Sequence, residues 1–256
     1  MKRRRGVQMI IYEWKCIVGN IFSILFGLVF PIFMLFFMGK ITFSDVPKDM
    51  LPEVQTQLYI TMAMVIPMAI MFIGYAANYS QELEMKIPLR LQLFGLKPQQ
   101  TLVYRLVAYL LCITVCLILY TIAAVVGLQI LWPTPGRAAV SIACFYLLSI
   151  VFLVISHSIA YAIQKFGPAY GTTMIIYFAL MFVSGMMGAR PEQLPQGVTM
   201  VAKLIPTYHF GYRYIDFWLG KSYNAAPLVQ AFLFSSAIAI LLFLGSVSFR
   251  RRKGLA

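Results

Sequence analysis

The chain has 256 residues, of which 61% are hydrophobic and 11% charged, and it carries a net charge of +13. About a quarter of a soluble domain's residues are charged, so this chain has too few charges to cover a water-facing surface and reads as an integral membrane protein. Its basic excess does not point to nucleic acid. Lys2-Arg3-Arg4-Arg5 and Arg250-Arg251-Arg252-Lys253 flank apolar segments at the two ends, the placement that orients membrane proteins and attracts anionic lipid headgroups.

Four cysteines, Cys16, Cys112, Cys116 and Cys144, lack Cys-x-x-Cys or Cys/His metal spacing and read as packing residues. Near the N-terminus Val7, Ile10, Ile11, Trp14, Ile17 and Val18 recur at helical spacing, with Gln8, Tyr12 and Lys15 on the other side. The pattern predicts an interfacial amphipathic helix over 7–18, its apolar stripe towards the membrane. The first apolar segment follows at 21–38, interrupted by Gly27 and Pro31. It lacks a small-x-small cleavage site, so it is expected to span the membrane rather than to be a signal peptide. A polar loop is expected over 39–57, carrying Asp45, Asp49 and Glu53 without the spacing of a Ca²⁺ loop.

Further spans are expected at about 58–77, 106–131, 138–163, 170–187 and 228–249. That makes six in a single all-α transmembrane domain covering 1–256. Fourteen of the 21 Lys and Arg residues then fall on one side and seven on the other. The richer side includes both termini and is assigned to the cytoplasm; a bacterial cell membrane is the expected location. Trp132-Pro133-Thr134-Pro135-Gly136 and 164–168 read as short turns.

Two inserts stand out. Ser80–Arg105 is the longest polar stretch on the cytoplasmic side. Pro88 suits a first helical turn and Gly95 the position just past a helix end, so a short cytoplasmic helix is expected over 88–94, with Pro98 starting the next. The other insert, 188–227, mixes an apolar stripe (Val198, Val201, Ala202, Ile205) with Tyr208, Phe210, Tyr212, Tyr214, Phe217 and Trp218. Too polar to cross and too aromatic for an ordinary loop, it predicts two short re-entrant helices.

No phosphate-cradling Gly-x-x-x-x-Gly-Lys-Ser/Thr run, His-Glu-x-x-His or Gly-x-Ser-x-Gly occurs, and no Asp or Glu falls inside the expected spans. Any nucleotide-derived energy is therefore expected from a partner, and neither a metal nor a cofactor is expected in this chain. His157, in mid-span, could serve a proton relay or an intramembrane enzyme, or simply bond to a neighbouring helix.

The whole chain resembles an ABC-2 type transporter permease, the membrane subunit of an ATP-binding cassette exporter. Helix 7–18 resembles that family's connecting helix. Glu82, Leu91, Gly95, Lys97, Pro98 and Arg105 resemble the segment whose coupling helix sits on the ATPase. Ser184-Gly185-Met186, Leu194-Pro195, Ile205-Pro206 and Arg213 resemble its fifth-span exit, re-entrant helices and Pro-containing return.

The resemblance implies a transport subunit that is not itself an enzyme, with ATP and Mg bound in a separate ABC ATPase subunit. It also implies a second permease chain, identical or sister, and outward movement of a substrate. Glu82, Glu84, Lys86, Pro88, Arg90, Leu91, Gly95 and Pro98 are the expected ATPase-coupling residues, and Gly185, Pro195, Pro206 and Arg213 those of the re-entrant region. Spans rich in Met and Phe suit a hydrophobic or amphipathic cargo such as a peptide, drug or lipid-like molecule. Membrane lipids are expected partners and nucleic acid is not. The alternative is a non-transporting anchor, sensor or immunity protein that binds a cytoplasmic partner through 80–105.

Overall fold

The computed structural model describes residues 2–43, 46–187 and 194–252; Asp45, Arg190 and Lys253 lie outside them. The described residues are helical, without a strand. In chain order they form α1 (Lys2–Gly19), α2 (21–43), α3 (Leu51–Glu84), α4 (Ile87–Leu93), α5 (Pro98–Gly127), α6 (Pro135–Ile163) and α7 (Phe166–Val183). Three short helices follow, α8 (Gln196–Ala202), α9 (Pro206–Gly211) and α10 (Tyr214–Leu219), and then α11 (Ala226–Arg252). Five of these, α3, α5, α6, α7 and α11, are long and apolar enough to cross a membrane, and Leu25–Gly39 within α2 is a shorter apolar stretch.

The bundle is built around α3. The most apolar 18-residue window of α3 is 100% buried, whereas the corresponding windows of the other four long helices are 22–33% buried. Helices that are apolar all round have no preferred inward face, so hydropathy alone does not single out the central one. Pro67 has no N–H for the carbonyl four residues back; α3 opens at Met64 and widens into a π-helical stretch, Met68–Gly74. In α2, Pro31 is likewise preceded by a π-helical stretch, Leu25–Val29.

The two widened stretches lie against each other. A Cβ on Gly27 would overlap Ile70, and one on Gly74 would overlap the Ser23 hydroxyl. The glycines thus set how closely α2 and α3 approach. Ser156 of α6 donates a 2.7 Å hydrogen bond to the Phe72 carbonyl inside the π stretch, and Tyr120 of α5 donates one of 2.9 Å to the Tyr59 carbonyl. Neighbouring helices in this way satisfy backbone groups that an irregular helix leaves free.

Two expectations are corrected here. The polar loop over 39–57 is much shorter, because α2 runs to Phe43 and α3 begins at Leu51; Gln55 and Thr56 are buried and fix the segment 128–131 through Gln129 N–H to Gln55 Oε1 (2.7 Å) and Leu131 N–H to Thr56 Oγ1 (2.9 Å). The described residues of the aromatic insert make three short helices rather than two.

Helix α1 covers the expected 7–18 and extends it at both ends. It does not turn its whole apolar stripe one way. Val7, Ile11 and Val18 are exposed, while Gly6, Met9, Glu13 and Ile17 form the buried face, packed on α5. The close approach is at Gly6, which sits under the ring of Tyr104. A carboxylate on the buried face outweighs the apolar stripe because it has a buried partner.

Candidate functional site

The end of the bundle that carries α4 holds most of the charged side chains on which a function can be built. Helix α3 ends at Glu84, and Lys86 adopts a left-handed conformation (φ 57°) that redirects the chain into α4. Pro88 lies in the first turn of α4, and Gly95 (φ 81°) closes the helix. Gly95 N–H bonds to the Gln92 carbonyl (2.9 Å) and Leu96 N–H to the Leu91 carbonyl (3.1 Å), the paired arrangement that a glycine at this position favours. Lys97 is extended and Pro98 starts α5. The expected short helix is therefore present, one residue earlier than its expected bounds.

Helix α4 buries none of its residues. Leu89, Leu93 and Phe94 are 56%, 82% and 79% exposed, and Lys86, Arg90 and Pro98 are exposed with them. Its inner side rests on the bundle through Pro88 and Leu91, which line a small cavity of about 50 Å³ with Tyr79, Arg105 and His157. Glu84 is exposed and accepts a 3.0 Å bond from the Phe166 N–H at the start of α7, where a carboxylate complements the free N–H groups of a helix N-terminus.

Beneath α4 lies a buried ion cluster. Arg105 of α5 donates from Nε and Nη2 to both oxygens of Glu13 (3.0 and 2.9 Å) and from Nη2 to Glu82 Oε2 (2.5 Å). All three residues are buried. The guanidinium also lies 5.1 Å from the Tyr79 ring centre and 5.9 Å from that of Tyr75, a cation–π environment that helps to hold it out of water. One planar fork thus joins α1, α3 and α5, a task that bidentate arginine performs and lysine does not.

Two neighbouring polar chains extend the cluster. Asn20 donates to Asn78 (2.6 Å) and Asn78 to Tyr109 (3.0 Å). The Tyr75 hydroxyl lies 2.8 Å from His157 Nδ1, and the His157 ring stacks on Tyr79 at 4.6 Å. His157 thus bonds to a neighbouring helix inside an aromatic packing, the simplest of its three readings. Among the described residues no group of three His, Cys, Asp or Glu could hold a metal ion.

Glu82 departs from its expected role. Expected to reach a partner, it points inward and is consumed by Arg105. Glu13 escaped the sequence reading entirely. Its signal was a lone acid at Met9-x-x-x-Glu13-x-x-x-Ile17 spacing, on one helix face.

The short helices between α7 and α11 lie at the other end of α3, which spans about 50 Å at 1.5 Å per residue. Gly185 (φ 76°) lies within the turn after α7, Pro195 precedes α8, Pro206 opens α9, and Arg213 (φ 60°) separates α9 from α10. Gln57 of α3 anchors the short helices by donating to the Phe210 carbonyl (3.0 Å) and accepting from Ile215 N–H (3.2 Å). Ser184 and Thr207 share a 2.6 Å hydroxyl bond, Trp218 Nε1 donates to the Leu131 carbonyl (2.7 Å), and Lys221 pairs with Glu53. The expected residues of the two ends thus form separate groups joined by α3.

No curated relative matches the chain. The sequence profile described as ABC-2 family transporter protein matches residues 40–247, from the end of α2 to near the end of α11. The central helix, the hairpin bearing α4 and the short helices before α11 all fall inside that match, and the chain belongs to the ABC-2 family of transporter proteins.

Proposed function

We propose that this transporter subunit is the permease half of an ATP-driven exporter and that α4 is the element on which a separate ATPase acts. Helices α2, α3, α5, α6, α7 and α11 cross the membrane with both termini in the cytoplasm. Two such subunits form the pathway, and the cargo is hydrophobic or amphipathic. The observation that carries the reading is the pairing of an exposed apolar α4 with a buried Arg105 that grips Glu82 and Glu13 directly beneath it.

The physics follows from that pairing. Helix α4 is clamped at one end by Lys86 and at the other by Gly95, so it moves as a body rather than as a loop. Because α3 and α5 are tied by Glu82–Arg105, displacement of α4 carries both helices together, and α1 follows through Glu13. A partner shifts such an equilibrium only by contacting its two states differently. The exposed Leu89, Leu93, Phe94 and Arg90 supply the contact. Glu82 supplies the rigidity.

The test is reconstitution of the chain with its ATPase. Leu93→Asp and Arg90→Glu are expected to leave the folded subunit intact, abolish stimulation of ATP hydrolysis and stop transport. Full transport with unaltered stimulation in both variants would sink the proposal. An anchor that transports nothing would bind the ATPase and show no cargo movement in the unsubstituted protein.

A further inference from the structure

In the half of the bundle away from α4, helices α3, α5, α6 and α10 enclose a cleft of about 470 Å³. That size falls within the range of roughly 300–1,000 Å³ found for small-ligand pockets. Its floor includes Ala63, Met64, Phe145 and Trp218, all buried, and its rim includes Ile118 and Ile142, each 54% exposed. Among the described residues, no Lys, Arg, Asp, Glu or His lines it.

The hydroxyls of the wall and the Trp218 N–H are already paired. Tyr59 bonds Thr121 (2.9 Å), Thr114 bonds Tyr146 (2.6 Å) and Ser141 bonds Tyr214 (2.8 Å), while the Trp218 N–H is held by the Leu131 carbonyl. An ordered water needs two to four polar partners, and apolar cavities without them stay dry. An empty space of this size would forfeit the dispersion contacts of every side chain that lines it. The wall therefore favours hydrocarbon over both water and vacancy.

Depth identifies the source of that hydrocarbon. Thr114–Ile122 of α5 lie about 24–36 Å along the helix from Pro98 at 1.5 Å per residue, in the membrane half opposite α4. Trp132, 59% exposed, sits at the cleft margin, the place tryptophan takes at a membrane–water boundary.

We infer that this cleft is a binding site for one acyl chain of a membrane lipid, drawn from the leaflet opposite α4. Trp218 and Phe145 form its floor, and Ile118 and Ile142 form its lips. The headgroup stays at the boundary near Trp132. The inference needs only that α3, α5 and α6 span a membrane, so it stands or falls separately from the action of an ATPase on α4.

The test uses the full chain with Trp14→Phe and Trp132→Phe, leaving Trp218 as the single tryptophan, in vesicles of phosphatidylcholine brominated at mid-chain. Trp218 is 9% exposed, so bulk lipid does not reach it, and quenching requires a chain inside the cleft. The expected result is loss of about half of the emission relative to unbrominated vesicles, since contact quenching needs van der Waals approach. Adding Ala138→Phe or Ile118→Phe, which fill the cleft from its rim, is expected to restore most of it. Two outcomes overturn the inference: equal emission in the two kinds of vesicle, including the case of a second copy covering the cleft, or undiminished quenching in both filled variants.

Discussion

Arg105 and Glu82 meet at 2.5 Å inside the bundle, one at the start of α5 and the other near the end of α3, with Glu13 of α1 on the far side of the same guanidinium. The chain between them carries α4, so the ion pair closes the base of that hairpin. Two carboxylates and one guanidinium withdrawn from water are a poor source of net stability. Their value is positional, because only one arrangement of the three helices satisfies them.

Removing the centre of this cluster should therefore be costly, and removing all of it should not. Arg105→Met is expected to destabilise the protein by about 3–5 kcal/mol by stranding two buried carboxylates. Adding Glu13→Gln and Glu82→Gln should recover most of the loss. Thermal unfolding of the detergent-solubilised protein compares the variants, and equal loss in the single and triple variants would show that the side chains matter by shape alone.

The contact between α2 and α3 gives a second prediction. Gly74→Ala drives a methyl group into the Ser23 hydroxyl, an overpacking cost of about 1–3 kcal/mol. Among the described residues the buried Ser23 hydroxyl has no hydrogen-bond partner, so Ser23→Ala should be nearly neutral alone and should relieve Gly74→Ala in the double variant. Additive melting shifts across this cycle would refute direct contact as the cause.

Gly95 isolates the backbone from packing. A Cβ there meets nothing within 4 Å, yet φ is +81°. Gly95→Ala is expected to cost roughly 1–2 kcal/mol from the left-handed conformation alone. Gly95→Asn should cost less, because asparagine tolerates that region. Hydrogen exchange of the α4 amides reads the effect locally, and equal protection in all three proteins would argue against it.

His209 makes stability depend on pH. It is buried, and burial pushes its pKa below the ordinary histidine value of 6.5, against the opposing effect of its bond to the Lys203 carbonyl. The unfolded chain therefore binds a proton more readily than the folded one. Stability is fully present above the unfolded value and falls as pH drops through the lowered native value. His209→Gln, which keeps an N–H donor for that carbonyl, should flatten the change in melting temperature between about pH 7.5 and about pH 5, the window in which histidine titrates. An unchanged acid limb would assign the effect to other groups.

Much of the fold is legible along the chain because its causes are local. Long apolar runs announce α5, α6, α7 and α11, and Pro88, Gly95 and Pro98 punctuate α4 and the start of α5 through backbone restrictions that each residue carries by itself. The bounds of α3 were less legible. Its first turns are polar, and they are helical because Gln55, Thr56 and Gln57 each bond to a distant segment.

The candidate site divides the same way. That α4 exists, and that leucines and Arg90 populate it, is written in consecutive residues. That Glu82 faces inward is not, since its partner Arg105 lies 23 positions away and Glu13 lies 92 from Arg105. Sequence by itself determined that this chain is a membrane protein with a folded polar hairpin, because hydropathy and proline or glycine geometry act within a few residues. Only the tertiary structure decided that α3 is the central helix and that the hairpin is locked beneath α4. Burial and ion pairing are relations between helices, and a buried carboxylate reads the same as an exposed one until its partner is placed beside it.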